Sequence, residues 1–256
     1  MRRAGIILRL IILALFTVVA IGPQMLAVRF GWLSTGTIPV LFHRLFLRLF
    51  GIRVRQKGNP PGASATLVVA NHVSWLDIPV IGSLRPLSFI AKSEVETWPG
   101  VGTLARLQRS VFIDRQRRRA TAEASRAVAH RLVKGEAIVL FAEGTTGDGN
   151  RILPFRSSLV GAAEAAVTDP GSDPVPLQPL AISYVRRNGL PVTRRERPEI
   201  CWYGDMVLVP HLARVIAVGA LDVTVIWGDP VPYNGNRKQV TADAEEAVRR
   251  AIAATH

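Results

Sequence analysis

The sequence predicts an α/β fold: a mostly parallel or mixed sheet flanked by helices, with membrane-binding helices at the N-terminus. Three observations lead there. From about residue 65 onward, short apolar runs alternate with amphipathic segments, as strands and helices do when they follow one another along one sheet. Several of these runs are continuous, such as Leu67-Val68-Val69-Ala70, and continuous runs suit strands buried on both faces. The first fifty residues differ, being apolar and helical in period with arginine as their charge. A chain of 256 residues with 48% apolar content can bury one full core plus a short membrane segment, so a single globular domain is expected.

Taken in order, Arg2, Arg3 and Arg9 precede an uncharged run from Leu10 to Val28 that ends at Arg29. As a helix that run is roughly 28 Å long, close to the hydrocarbon thickness of about 30 Å. Gly22-Pro23-Gln24 interrupts it, so a clean span competes with a kinked, half-inserted helix, and Val18 with Ala20 offers a weak signal-peptide cleavage site. A retained membrane segment is the expectation. Ile38, Leu41, Phe42, Leu45, Phe46 and Leu49 then fall on one helical face, with His43, Arg44 and Arg48 off it, which reads as an interfacial helix with a core-packing helix as the alternative. Asn59-Pro60-Pro61-Gly62 marks the expected boundary between a membrane-binding portion, residues 1–58, and the α/β domain, residues 59–256.

Strands are expected at Leu67 to Ala70, Leu87 to Ala91, Val111 to Ile113, Ala137 to Phe141, Leu177 to Tyr184 and Leu221 to Trp227. Helices are expected from Asp77 to Leu84, Arg117 to Lys134 with Gly135 as the stop, Ser157 to Thr168, and Val240 to Ala254. Asp169 to Pro174 and Arg186 to Pro198 read as exposed loops.

The formal net charge of +13 comes almost entirely from arginine and attracts polyanions, either nucleic acid or an anionic membrane surface. No helix-turn-helix, zinc-finger or RNA-binding signature accompanies it, so the expected partner is membrane and not nucleic acid. Cys201 is alone, which excludes an internal disulfide. The five histidines are scattered without metal-ligand spacing, so no metal is expected.

Chemistry is concentrated in Asn71-His72-Val73-Ser74-Trp75-Leu76-Asp77, directly after the Leu67 to Ala70 run. A turn between a strand end and a helix start can fold Asp77 back onto His72. A carboxylate that holds one ring nitrogen leaves the other free to take a proton, the arrangement of a general base. Asp77 also suits an N-cap, and one oxygen could serve each role. Ser74 is the rival nucleophile, but Gly-x-Ser-x-Gly occurs nowhere in the chain. Three further blocks follow in order: Phe112-Ile113-Asp114-Arg115, Phe141-Ala142-Glu143-Gly144-Thr145 and Val175-Pro176-Leu177-Gln178-Pro179.

Together the four blocks resemble the glycerolipid acyltransferase family, whose best-known members acylate 1-acyl-glycerol-3-phosphate, over about residues 65 to 230. The resemblance implies an acyltransferase domain in which His72, paired with Asp77, deprotonates an acceptor hydroxyl that attacks an acyl thioester directly. It implies acceptor-binding roles for Lys92, Arg115, Glu143, Gly144 and Thr145. Lys92 also reads as a surface cation and Glu143 as a turn closure, and the adjoining Arg117 to Arg119 read as a basic face with no site role. It further implies no bound cofactor, an acyl carrier protein or coenzyme A thioester as co-substrate, and the cytoplasmic side of a bacterial inner membrane.

Two residues depart from the family pattern: Ala142 stands where most members have proline, and Thr146 where they have an arginine that helps hold phosphate. Arg151 could replace that arginine if its loop folds back. The segments Glu143 to Arg151, Ala91 to Val95 and Trp202 to Met206 are more similar to the bacterial branch that acylates lyso-ornithine lipid, whose head group carries a carboxylate and an amine instead of phosphate. That acceptor is therefore favoured, with 1-acyl-glycerol-3-phosphate second or shared. A membrane-anchored serine hydrolase and a non-enzymatic basic membrane binder are the rival classes.

Overall fold

A computed structural model describes residues 3–31, 34–62, 65–114, 118–164, 175–231 and 236–255. Eight strands form one sheet: β1 (Ile52–Lys57), β2 (Thr66–Ala70), β3 (Ser88–Lys92), β4 (Val111–Ile113), β5 (Ala137–Phe141), β6 (Leu177–Arg187), β7 (Leu190–Pro191) and β8 (Leu221–Trp227). The described helices are α1 (Arg3–Phe30), α2 (Thr37–Leu49), α3 (Asp77–Gly82), α4 (Val101–Leu107), α5 (Arg118–Val133), α6 (Ser157–Glu164), α7 (Arg197–Ile200), α8 (Leu208–Val218) and α9 (Arg237–Ala253), with a 3-10 turn at Ser93–Thr97.

Strand order is β1-β8-β6-β2-β5-β3-β4, with β7 hairpinned onto β6. Only the β6–β8 and β6–β7 pairs are antiparallel, so the sheet is mixed and mostly parallel. Alternate residues of the central strands feed two cores, as the two-residue period of a strand dictates. Val68, Ala70, Val139 and Phe141 meet Phe46 and Leu47 of α2, Val80 and Ile81 of α3 and Val215 and Ile216 of α8. Leu67, Val69, Ile138 and Leu140 meet Val128 and Leu132 of α5, Val160 of α6 and Val240, Ala244 and Val248 of α9.

The sheet begins earlier than the expected boundary at residue 58. β1 pairs in parallel with β8 from Ile52 against Leu221 to Lys57 against Ile226, so it is an edge strand of the α/β domain. Its alternating charges, Arg53, Arg55 and Lys57, hide it from a search for apolar runs. β1 ends before Gly58, whose φ of +74° and close approach to the Trp227 carbonyl admit no side chain.

Helix α1 does not stop at Gly22-Pro23. Proline tolerates helical φ at the loss of one backbone bond, and the next residue anchors the turn: Gln24 Nε2 donates to the carbonyls of Thr35 (2.8 Å) and Leu107 (2.7 Å). Ala4–Phe30 is long and apolar enough to cross a membrane. α2 turns Val40, Phe46 and Leu47 into the core and leaves Leu41, Arg44 and Arg48 outside. The expected loop at Arg186 to Pro198 contains the β7 hairpin, turned through Asn188 and Gly189, both at positive φ, and the start of α7. α4 and α8 were not expected. The expected end of the Ser157 to Thr168 helix and the Asp169 to Pro174 loop lie outside the described residues.

Candidate active site

β2 lies between β5 and β6 and runs parallel to both, with Ala70 opposite Phe141 and Leu180. The segments leaving the carboxyl ends of β2 and β5 are therefore neighbours, the place where open α/β sheets present their chemistry. His72 leaves one strand and Glu143 the other.

Asp77, fully buried in the first turn of α3, organises the first segment. Its Oδ2 accepts from His72 Nδ1 at 2.8 Å and from the backbone N–H groups of Val73 (2.8 Å) and Ser74 (3.0 Å). Its Oδ1 accepts from the Tyr184 hydroxyl at 2.7 Å. The carboxylate thus caps the turn that precedes α3 and makes no capping bond to the helix's own amides. With Nδ1–H committed to Asp77, Nε2 is the nitrogen left to accept a proton. The ring stacks on Phe141, centroids 3.8 Å apart and planes within 12°, and keeps 17% of its side chain exposed.

Glu143 joins the two segments. Its Oε1 accepts from the His72 backbone N–H (2.8 Å) and its Oε2 from that of Leu153 (3.0 Å), while the Gly147 N–H donates to the His72 carbonyl (2.9 Å). Both oxygens are occupied by backbone donors, so Glu143 holds the His72 loop in place. Burial pushes its pKa up to about 7, against the lowering effect of the two amide bonds. Gly144, at φ +73°, makes the turn that lets the loop double back. Burial, followed by the charge of Asp77, also drives the Tyr184 hydroxyl above its ordinary range.

Ser74 is not placed as a nucleophile: it is fully buried and its Oγ donates to the Ile200 carbonyl at 3.2 Å. Lys92 is exposed at the end of β3, on the same sheet edge and two strands from His72. Arg115, and Arg117 with it, lies outside the described residues, and the side chains of Arg118 and Arg119 are not described. Thr145 is exposed and Thr146 half-buried. Arg151 is exposed and lines a cavity of ≈ 340 Å³ with Arg197, Arg249, Asn71, Val73 and Tyr184. Sequence reasoning missed Tyr184, Arg197 and Arg249. Tyr184 had one available signal, since a tyrosine ending a buried strand needs a partner for its hydroxyl. Among the described residues, no group of His, Cys, Asp and Glu could hold a metal ion.

The dyad, with one imidazole nitrogen fixed and the other available, can take a proton from a bound hydroxyl. A family model described as Acyltransferase matches residues 51–183, just over half of the chain and the whole His72–Glu143 site. The chain belongs to the acyltransferase family. The lyso-ornithine lipid O-acyltransferase of Brucella abortus (strain 2308) is 46% identical over 221 residues, 86% of this chain and 82% of that protein. The 1-acyl-sn-glycerol-3-phosphate acyltransferase of Neisseria meningitidis is 32% identical over 196 residues, 76% of this chain and 72% of that one. The crystal structure of the lysophosphatidic acid acyltransferase of Thermotoga maritima superposes with a TM-score of 0.64 at 21% identity, covering 98% of this chain and 96% of that one. It shows that this acyltransferase has the same fold from α1 to α9.

Proposed function

We propose that this acyltransferase moves a fatty acyl group from a thioester to the free hydroxyl of a lysolipid in bacterial membrane lipid synthesis, with lyso-ornithine lipid as the favoured acceptor. The observation that carries the chemistry is the His72 Nδ1–Asp77 Oδ2 bond of 2.8 Å beside a partly exposed ring. His72 Nε2 takes the acceptor's hydroxyl proton as the oxygen attacks the thioester carbonyl. The tetrahedral intermediate collapses by breaking the C–S bond, and His72 returns the proton to the departing thiolate. Ester and thiol are the products, and no acyl-enzyme forms. Asp77 supports the imidazolium that exists between the two proton transfers.

The donor in this reading is acyl carrier protein or coenzyme A, and no further cofactor takes part. Lys92, Arg115, Gly144, Thr145 and Arg151 contact the acceptor, and Glu143 acts through the His72 loop. α1 anchors the enzyme in a bacterial inner membrane with the sheet on the cytoplasmic side. Lyso-ornithine lipid is favoured because Thr146 supplies one neutral hydroxyl where a guanidinium would pair with phosphate, and because the Brucella relative bears that activity in its name. 1-Acyl-sn-glycerol-3-phosphate is the second reading, favoured by the basic cavity at Arg151, Arg197 and Arg249.

The deciding experiment gives the purified enzyme one labelled acyl donor with both lysolipids in competition. Label in ornithine lipid supports the first reading and label in phosphatidic acid the second. Transfer to neither, by folded enzyme, removes both.

A further inference from the structure

Outside α1, and among the described residues, the large apolar side chains left exposed are Leu41, Val101, Val133, Leu190, Val207 and Val209. Two of these stand apart: Val133 ends α5 on the opposite layer, and Leu190 tips the β7 hairpin. The other four belong to one layer. α2 packs on α1 through Phe42 and Phe16, ring centroids 6.5 Å apart. α2 also reaches α8, because Phe46 meets Trp75 edge-on and Trp75 Nε1 donates to His211 Nδ1 at 3.0 Å. α4 is tied to α1 by the Gln24 bond to the Leu107 carbonyl. Val207 (67% exposed) precedes α8, Val209 (70%) lies in its first turn, and Val101 opens α4. Between them Trp98 and Trp202 meet at right angles, centroids 6.1 Å apart. The backbone N–H of Trp202 donates to the Val73 carbonyl, one residue from His72.

We propose that Val101, Val207 and Val209, around the Trp98–Trp202 pair, form a second lipid-docking surface that seats the rim of the active site on an anionic bilayer. The proposal rests on the membrane-enzyme reading above and adds a surface on the catalytic layer itself. Its occupant follows from continuity with the exposed apolar face of α1 and from the charge of the chain, +13 overall, with Arg48, Arg106 and Arg214 exposed on α2, α4 and α8. Tryptophan pairs belong where an apolar body meets wet head groups. Because Trp202 holds the His72 loop through Val73, this surface brings the general base to the plane where a lysolipid hydroxyl sits.

The test uses full-length protein in phosphatidylglycerol-containing vesicles with brominated acyl chains. Bimane is placed at Val209→Cys or, as the control on the far layer, at Val133→Cys, with unsubstituted protein as the blank for buried Cys201. Quenching at 209 and little at 133 is expected. Equal quenching at both sites overturns the proposal, as does burial of the 209 label without lipid that grows with protein concentration, which means a second copy. In the activity arm, Val207→Asp combined with Val209→Asp lowers transfer to vesicle-borne acceptor about ten-fold while detergent-dispersed acceptor reacts as before. Equal loss in both, or in neither, also overturns it. A wild type inactive on dispersed acceptor would instead count against the acyltransfer reading, and the quenching result would stand apart from it.

Discussion

Both oxygens of Asp77 are committed inside the protein, to His72 Nδ1 and two backbone amides on one side and to the Tyr184 hydroxyl on the other. The imidazole is thus fixed before substrate arrives. Replacing the partly exposed ring by His72→Ala removes the proton acceptor without opening the core. Turnover should fall about 10²- to 10⁴-fold, with the unfolding midpoint little changed. Wild-type rates in a folded preparation would remove His72 from the mechanism. Glu143 offers a pH test, since its pKa is raised to about 7. Between the ordinary carboxylate range and that value the folded state holds a proton that the unfolded chain releases. This contribution to stability is therefore complete at low pH and is lost as pH rises through about 7. Denaturant midpoints for wild type should decline across that window more than those for Glu143→Gln. The amide can accept from only one of the two backbone donors, so the variant should be less stable by about 1–3 kcal/mol and slower through displacement of the His72 loop. Identical pH slopes would mean that Glu143 does not titrate in the window. Thr146 carries a third prediction. Thr146→Arg should raise activity on 1-acyl-sn-glycerol-3-phosphate relative to lyso-ornithine lipid, because it restores a bidentate donor for phosphate. If the wild type instead uses only the phosphate acceptor and Arg151→Ala abolishes that activity, the phosphate ligand has moved to the 151 loop and the ornithine preference is wrong.

At the scale of elements, α1 and α2 do different work although both begin as apolar stretches. α1 shows most of its surface to the outside, whereas Phe46, Leu47 and Phe50 at the end of α2 belong to the main core. Removing residues 1–31 should give a chain that still folds in mild detergent and floats poorly with vesicles. Removing residues 1–50 should give aggregate, because it strips three buried side chains from the sheet. Circular dichroism and vesicle flotation on the two truncations check this, and a soluble, folded 51–256 chain would sink it. The sequence displayed the apolar stripe of α2 but not what covers it, because a stripe seated on lipid and one seated on a sheet have the same period. The catalytic segment was legible because strand end, histidine and carboxylate are local. Tyr184 comes from a strand more than a hundred residues away, and no local pattern links it to Asp77. α8 was missed because its opening, Val207-Leu208-Val209-Pro210, carries no capping residue.

For the whole molecule, alternating apolar runs specified a mixed α/β sheet. They could not specify that β8 runs antiparallel to β6 and parallel to β1, because direction depends on the path of the connection and not on the strand's own residues. Charge, in contrast, is a property the sequence states in full, and it separates two modes of membrane attachment. A net +13 draws the protein to an anionic leaflet from a distance, and salt screens that attraction beyond roughly 10 Å at 0.1 M. In the proposed anchoring, α1 buries its side chains in hydrocarbon, and an attachment of that kind is apolar and not weakened by salt. Added salt should therefore slow the association of the enzyme with phosphatidylglycerol vesicles by about ten-fold or more, yet fail to extract enzyme already bound. Stopped-flow energy transfer reads the first quantity and flotation after a salt wash the second. Release by the wash would mean that arginines alone hold the protein to the surface and that α1 lies outside the bilayer.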